Sequence, residues 1–170
     1  MKILSSGIAG NRRQALKDIP GSKTVMVALA WGFVTAMLPA IAAGRLLEWQ
    51  TAIIMIWAAG LVFVRTAFFD MLDIQGDQIV GNETLPGVLG EKKSGKLLKS
   101  ILVFIAALFM VNGLLVSDAR LMLPLAAVPV FMLVLLCVHE KKEKLPGIWQ
   151  PLTMESFFVL AGIFALFADI

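Results

Sequence analysis

Residues 65–96 read RTAFFDMLDIQGDQIVGNETLPGVLGEKKSGK. The first residues close an apolar run that starts near Thr51, and three aspartates, Asp70, Asp73 and Asp77, stand at its foot. Carboxylates are costly near hydrocarbon, so acids at a membrane boundary point to function and to a positive partner. The glycines and proline that follow, Gly76, Gly81, Pro86, Gly87 and Gly90, predict a shaped loop that can reach over a site and not a helix.

The composition agrees with a membrane reading of that run. Of 170 residues, 59% are apolar and 16% are charged, and the mean hydropathy is +0.86. A water-soluble domain needs more polar residues to cover its surface. Five apolar runs come close to the roughly 20 residues that cross a bilayer core as a helix: about 24–43, 51–69, 97–117, 121–138 and 152–168. The fold class is an all-α membrane protein, a single membrane domain over 1–170 with an aspartate-rich loop at 70–96. Pro124 and Pro129 fall inside the fourth run and predict a kink. The sole cysteine, Cys137, lies in an apolar run, excludes an intrachain disulfide and reads as a small core side chain.

The net charge of +3 does not make this a nucleic-acid binder, because the basic residues cluster at the ends of apolar runs. Thirteen fall before the first run, around the second connection or in the fourth, and two, Arg45 and Arg120, fall on the other side. The positive-inside rule then places the N-terminus and the aspartate loop in the cytoplasm and the C-terminus outside, in a multi-pass protein of the cytoplasmic membrane.

Asp70, Asp73 and Asp77 are spaced i, i+3, i+7, within about 60° of one another on a helical face. Three carboxylates stacked at the negative pole of a helix repel one another unless a cation joins them. Acids at a membrane exit are often merely solvated, but three on one face running into a glycine-punctuated loop argue for a cation. Neither His nor Cys is near, and oxygen-only ligands suit Mg²⁺, which takes one or two carboxylates and completes its shell with water and substrate phosphates. Acids followed by lysines therefore suggest a Mg²⁺-bridged phosphorylated substrate. His139, the only histidine, stands among lysines at a helix exit and has no partner for a metal site or dyad. Glu155 is expected to snorkel to the interface. Trp31 is expected to pack in the core, and Trp49 and Trp149 to lie at the interface.

The stretch DMLDIQGDQIVGNETLPGVLG resembles the second aspartate-rich motif of the UbiA superfamily of intramembrane prenyltransferases. Asp70, Asp73, Gly76, Asp77, Gly81, Thr84, Leu85, Pro86, Leu89 and Gly90 fall in its register. Residues 16–32, LKDIPGSKTVMVALAWG, resemble the lead-in to the family's fifth helix. The resemblance implies that the five runs correspond to helices five to nine of a nine-helix bundle. It further implies Mg²⁺-dependent transfer of a prenyl group from an isoprenyl diphosphate to an aromatic or lipid-like acceptor, in quinone, haem, chlorophyll or archaeal-lipid synthesis. Asp70, Asp73 and Asp77 would be the metal ligands, and Lys17 and Lys23 match basic positions near the diphosphate; no catalytic acid or base is assigned. The family's first motif, of the Asn-Asp-x-x-Asp type, is absent from these residues. The chain is therefore expected to be a fragment, a split-gene half or a remnant, with a separate N-terminal-half polypeptide as the partner. The competing readings are an inactive fragment, or a membrane assembly or transport subunit that keeps a cation-binding acidic loop. A CDP-alcohol phosphotransferase would need an Asp-Gly-x-x-Ala-Arg run, which is missing.

Overall fold

The computed structural model describes residues 21–44, 48–73, 84–115, 119–141 and 149–168. Every regular element among them is helical: α1 (Ser22–Ala42), α2 (Trp49–Leu72), the short α3 (Leu85–Leu89), α4 (Glu91–Leu115), α5 (Ala119–Lys141) and α6 (Trp149–Ala168). α1, α2, α4 and α5 are long and apolar enough to cross a membrane, and the apolar stretch Leu152–Leu166 of α6 is shorter. This is the expected all-α membrane class. In hydrocarbon each backbone N–H and C=O must pair within its own segment, which a helix alone achieves without a partner strand.

α1 packs on α2, α2 on α4, α4 on α5, and α5 on α6. One core cluster joins Leu61, Val64 and Phe68 of α2 to Leu98 and Leu102 of α4, Val128, Met132 and Leu136 of α5, and Met154 and Phe157 of α6. A second joins Ile53, Ile105, Phe109, Met122, Leu125 and Ala126. Positions 61, 64 and 68 follow helical spacing and turn one face of α2 inward. Asp70, two residues after Phe68, is turned about 200° away from that face. The acids therefore leave α2 on the side opposite the α5 core, where α1 lies.

α1 reaches α2 closely at Gly32. A Cβ there would stand 2.8 Å from Ala59 Cβ and 2.9 Å from the Met55 carbonyl oxygen. Small residues at such crossings let membrane helices approach and gain dispersion contacts. Just beyond, α1 widens into a π-turn over Phe33–Met37. Pro39 has no N–H for the Thr35 carbonyl and its ring crowds that oxygen, and an inserted π-turn relieves both. The Thr35 hydroxyl donates back to the Trp31 carbonyl at 2.7 Å.

Two expectations differ from the structure. Trp31 lies inside its span but faces outward, 55% exposed. Lipid tails are as apolar as a protein core, so no hydrophobic force drives a membrane-depth tryptophan inward. α1 is also the most peripheral of the four long helices, with 22% of its apolar window buried against 39% in each of the others. The expected loop is also helical in part: α3 spans Leu85–Leu89, and α4 starts at Glu91, six residues before the apolar run at Leu97. Residues 91–96, EKKSGK, are too polar for hydrocarbon but are good enough helix formers to carry α4 past the apolar run.

α5 runs unbroken through Pro124 and Pro129. Pro129 leaves the Leu125 carbonyl without its helical donor. The Trp57 indole N–H, from α2, donates to that oxygen at 3.2 Å. A neighbouring helix thus satisfies the carbonyl that the proline frees.

Candidate functional site

Three segments converge at one end of the bundle: the first turn of α1, the last turn of α2, and α3. Gly21 caps α1 in a left-handed conformation, φ 76°. It is buried, and a Cβ there would stand 2.9 Å from Leu85 Cδ1. Only glycine meets both demands without strain. Leu85 opens α3, and Pro86, at its second position, is buried. The Thr-Leu-Pro stretch thereby forms a short helix seated against the start of α1.

Asp70 lies in the last turn of α2, and Asp73 caps the helix, its N–H donating to the Phe69 carbonyl at 3.1 Å. The Thr24 hydroxyl, from the first turn of α1, donates to Asp70 Oδ2 at 2.9 Å. Thr24 is 3% exposed. A buried hydroxyl held this way limits the rotamers of Asp70. Asp73 is exposed. Asp77, the third acid of the series, and Lys17 lie outside the described residues. Lys23 is exposed, next to Thr24 on the first turn of α1. Among the described residues no group of three or more His, Cys, Asp or Glu could hold a metal. What they do present is a pair, Asp70 and Asp73, at one helix end. Two carboxylates with all-oxygen chemistry fit Mg²⁺, which rarely takes more from the protein.

His139 is turned elsewhere. Its ring meets Phe68 edge-on, with centroids 5.1 Å apart, on the face of α2 opposite Asp70. Nearby, Lys99 of α4 pairs with Glu140 of α5, and Gly95 leaves room for that carboxylate.

Glu155 meets a partner on a neighbouring helix. Arg65 donates to its Oε1 from Nε, at 2.9 Å, and from Nη2. The pair joins α2 to α6.

A family model for the UbiA prenyltransferase family matches residues 14–166. The chain belongs to that family. No curated protein and no solved structure matches it. Membership of the UbiA family brings a prenyltransferase type of activity to a multi-pass membrane protein, with prenyl diphosphate and lipid-like substrates. The convergence of α1, α2 and α3 is then the part of the UbiA chain where its acids meet its Thr-Leu-Pro turn. Sequence reasoning passed over Thr24 in favour of its basic neighbour Lys23. The available signal was a lone hydroxyl, at the start of an apolar run, on the helix that must pack beside the acids.

Proposed function

We propose that the chain transfers a prenyl group from an isoprenyl diphosphate to an aromatic or lipid-like acceptor, with Asp70, Asp73 and Asp77 holding Mg²⁺. The observation that carries this is Asp70, fixed by a buried threonine at a membrane-helix end, in a chain of a prenyltransferase family. Bound there, Mg²⁺ would offset the charge that builds on the departing diphosphate. The chain's own residues orient and shelter. Thr24 holds the Asp70 carboxylate, and α3 closes over the start of α1. The apolar helices would accommodate the isoprenoid and keep water from an electron-poor prenyl carbon. Lys17 and Lys23 would add positive charge for the diphosphate.

These 170 residues hold one aspartate cluster, whereas the family's pattern has two that face each other across the diphosphate. A separate polypeptide that carries an Asn-Asp-x-x-Asp motif is the partner this reading calls for. The acids and the basic residues around them would lie on the cytoplasmic face of the cytoplasmic membrane.

The test is transfer from radiolabelled geranyl to octaprenyl diphosphates to a panel of aromatic acceptors, with the chain alone and with such a partner. We expect turnover only in the complemented sample, its loss on chelation of Mg²⁺, and a fall of about a hundredfold or more for Asp73→Asn or Asp77→Asn. Variants that stay within about twofold of wild type would remove the acids from the mechanism. Diphosphate binding with no transfer to any acceptor under either condition would favour an inactive, cation-binding membrane subunit.

A further inference from the structure

Arg65 and Glu155 are two charges that lie well inside apolar helices and face each other. Arg65 stands seven residues before the end of α2 and Glu155 six after the start of α6, about 10 Å in at 1.5 Å per residue. Their side chains are 32% and 42% exposed. The guanidinium carbon also lies 5.0 Å from the Phe69 ring centroid and 5.9 Å from that of Phe158. Arg65 is thus held by a carboxylate on α6 and by one aromatic ring from each helix, which fixes its plane as well as its charge.

Phe69 links this cluster to the acids. Its ring stacks on Arg65, its carbonyl accepts the capping N–H of Asp73, and its chain neighbour is Asp70. The last turn of a helix frays unless something holds it, and here the turn also carries two carboxylates at the unfavourable dipole end. The apolar core grips α2 through Phe68, and Phe69 is partly buried against the same core. To these apolar contacts α6 adds a polar hold through Glu155 and Arg65, beside the bond that Thr24 of α1 makes to Asp70.

We propose that Arg65 and Glu155 are a positioning pair: through Phe69 they tie the terminal helix to the last turn of α2 and keep Asp70 and Asp73 in one arrangement. The ordering of that turn stands apart from any reaction. Its effect on cation and diphosphate binding rests on the prenyl-transfer reading.

The experiment uses the full chain in lipid nanodiscs, with wild type, the Arg65→Met/Glu155→Met double variant and the Arg65→Glu/Glu155→Arg swap. Three readouts are taken on each: thermal unfolding, amide hydrogen exchange at residues 70–73, and Mg²⁺-dependent binding of inorganic diphosphate. Two methionines fill the space without leaving an unpaired charge, so the double variant should unfold near the wild-type temperature. Its exchange at 70–73 should nonetheless rise about tenfold, and the swap should return it to within about threefold of wild type. Diphosphate binding should weaken in the double variant and recover in the swap. Wild-type protection in the folded double variant would overturn the proposal, and so would a swap that fails to restore it. Should the double variant not fold, the swap decides alone. A wild-type chain that binds no diphosphate even when complemented with a polypeptide carrying an Asn-Asp-x-x-Asp motif would sink the prenyl-transfer reading, while the exchange data would still judge the pair.

Discussion

Two single atoms show how membrane context changes the worth of a hydrogen bond. The Leu125 carbonyl loses its helical donor to Pro129 and regains one from Trp57. Trp57→Phe should therefore cost about 1 kcal/mol in reversible unfolding in mixed micelles, a usual size for an interhelical bond in hydrocarbon. The cost should largely vanish in a Pro129→Ala background, where the backbone N–H returns and Leu125 no longer needs the indole. Equal losses in both backgrounds would mean that ring packing, and not the hydrogen bond, is what Trp57 provides. Thr24 is the second case. Thr24→Val keeps the shape and removes the donor to Asp70, so the Mg²⁺ needed for half-maximal transfer by the complemented protein should rise several-fold. Thr24→Ser keeps a hydroxyl and should change it far less. A Thr24→Val protein with an unchanged Mg²⁺ requirement would mean that the bond serves packing alone. Neither contact can be read along the chain, because each partner lies tens of residues away.

At the scale of an element, α1 is held by one close crossing. With so little of it covered, its place beside α2 depends on Gly32, against which a Cβ would meet backbone as well as side chain. Gly32→Val should push the helices apart and loosen the Thr24–Asp70 bond, which lies at the other end of the same interface. Cysteine cross-linking between α1 and α2 is the measurement, with native Cys137 first replaced by serine. We expect pairs along the interface to couple in the wild-type background and to couple several-fold more slowly in the Gly32→Val variant, since small residues at such crossings set the approach distance. Unchanged rates would show that α1 docks by its ends. Helix existence here was readable in the sequence, because long apolar runs in a membrane have almost no alternative. Helix ends were less so. α4 starts at Glu91 because helix propensity does not stop where hydrophobicity does, and α3 is seated by Leu85 against Gly21 and by packing on α2 and α4.

For the whole molecule, basic residues govern orientation. A reporter fused after Ile170 is expected on the outer face, and one inserted near Ser94 in the cytoplasm. The opposite result at either position would require a different number of crossings. The same asymmetry is expected to put Asp70, Asp73, Lys92, Lys93 and Lys96 on one side of the membrane, which the proposed diphosphate and Mg²⁺ would require.

The all-α membrane class and the UbiA family were legible along the chain, since hydrocarbon forbids unpaired backbone and the pattern of aspartates, glycines and Thr-Leu-Pro is local. The sequence also placed Asp70 and Asp73 at the end of an apolar run, because a carboxylate cannot continue one without a partner. Which side chains hold those acids, and which way α2 turns them, follows from the packing of the helices. Thr24 reaches Asp70, Arg65 reaches Glu155 and Trp57 reaches Leu125 across 46, 90 and 68 positions of chain. Such contacts follow from how helices cross, and in a bilayer hydrophobicity does not say which face of a helix turns inward. Trp31 faces outward and Glu155 faces a neighbouring helix for that one reason.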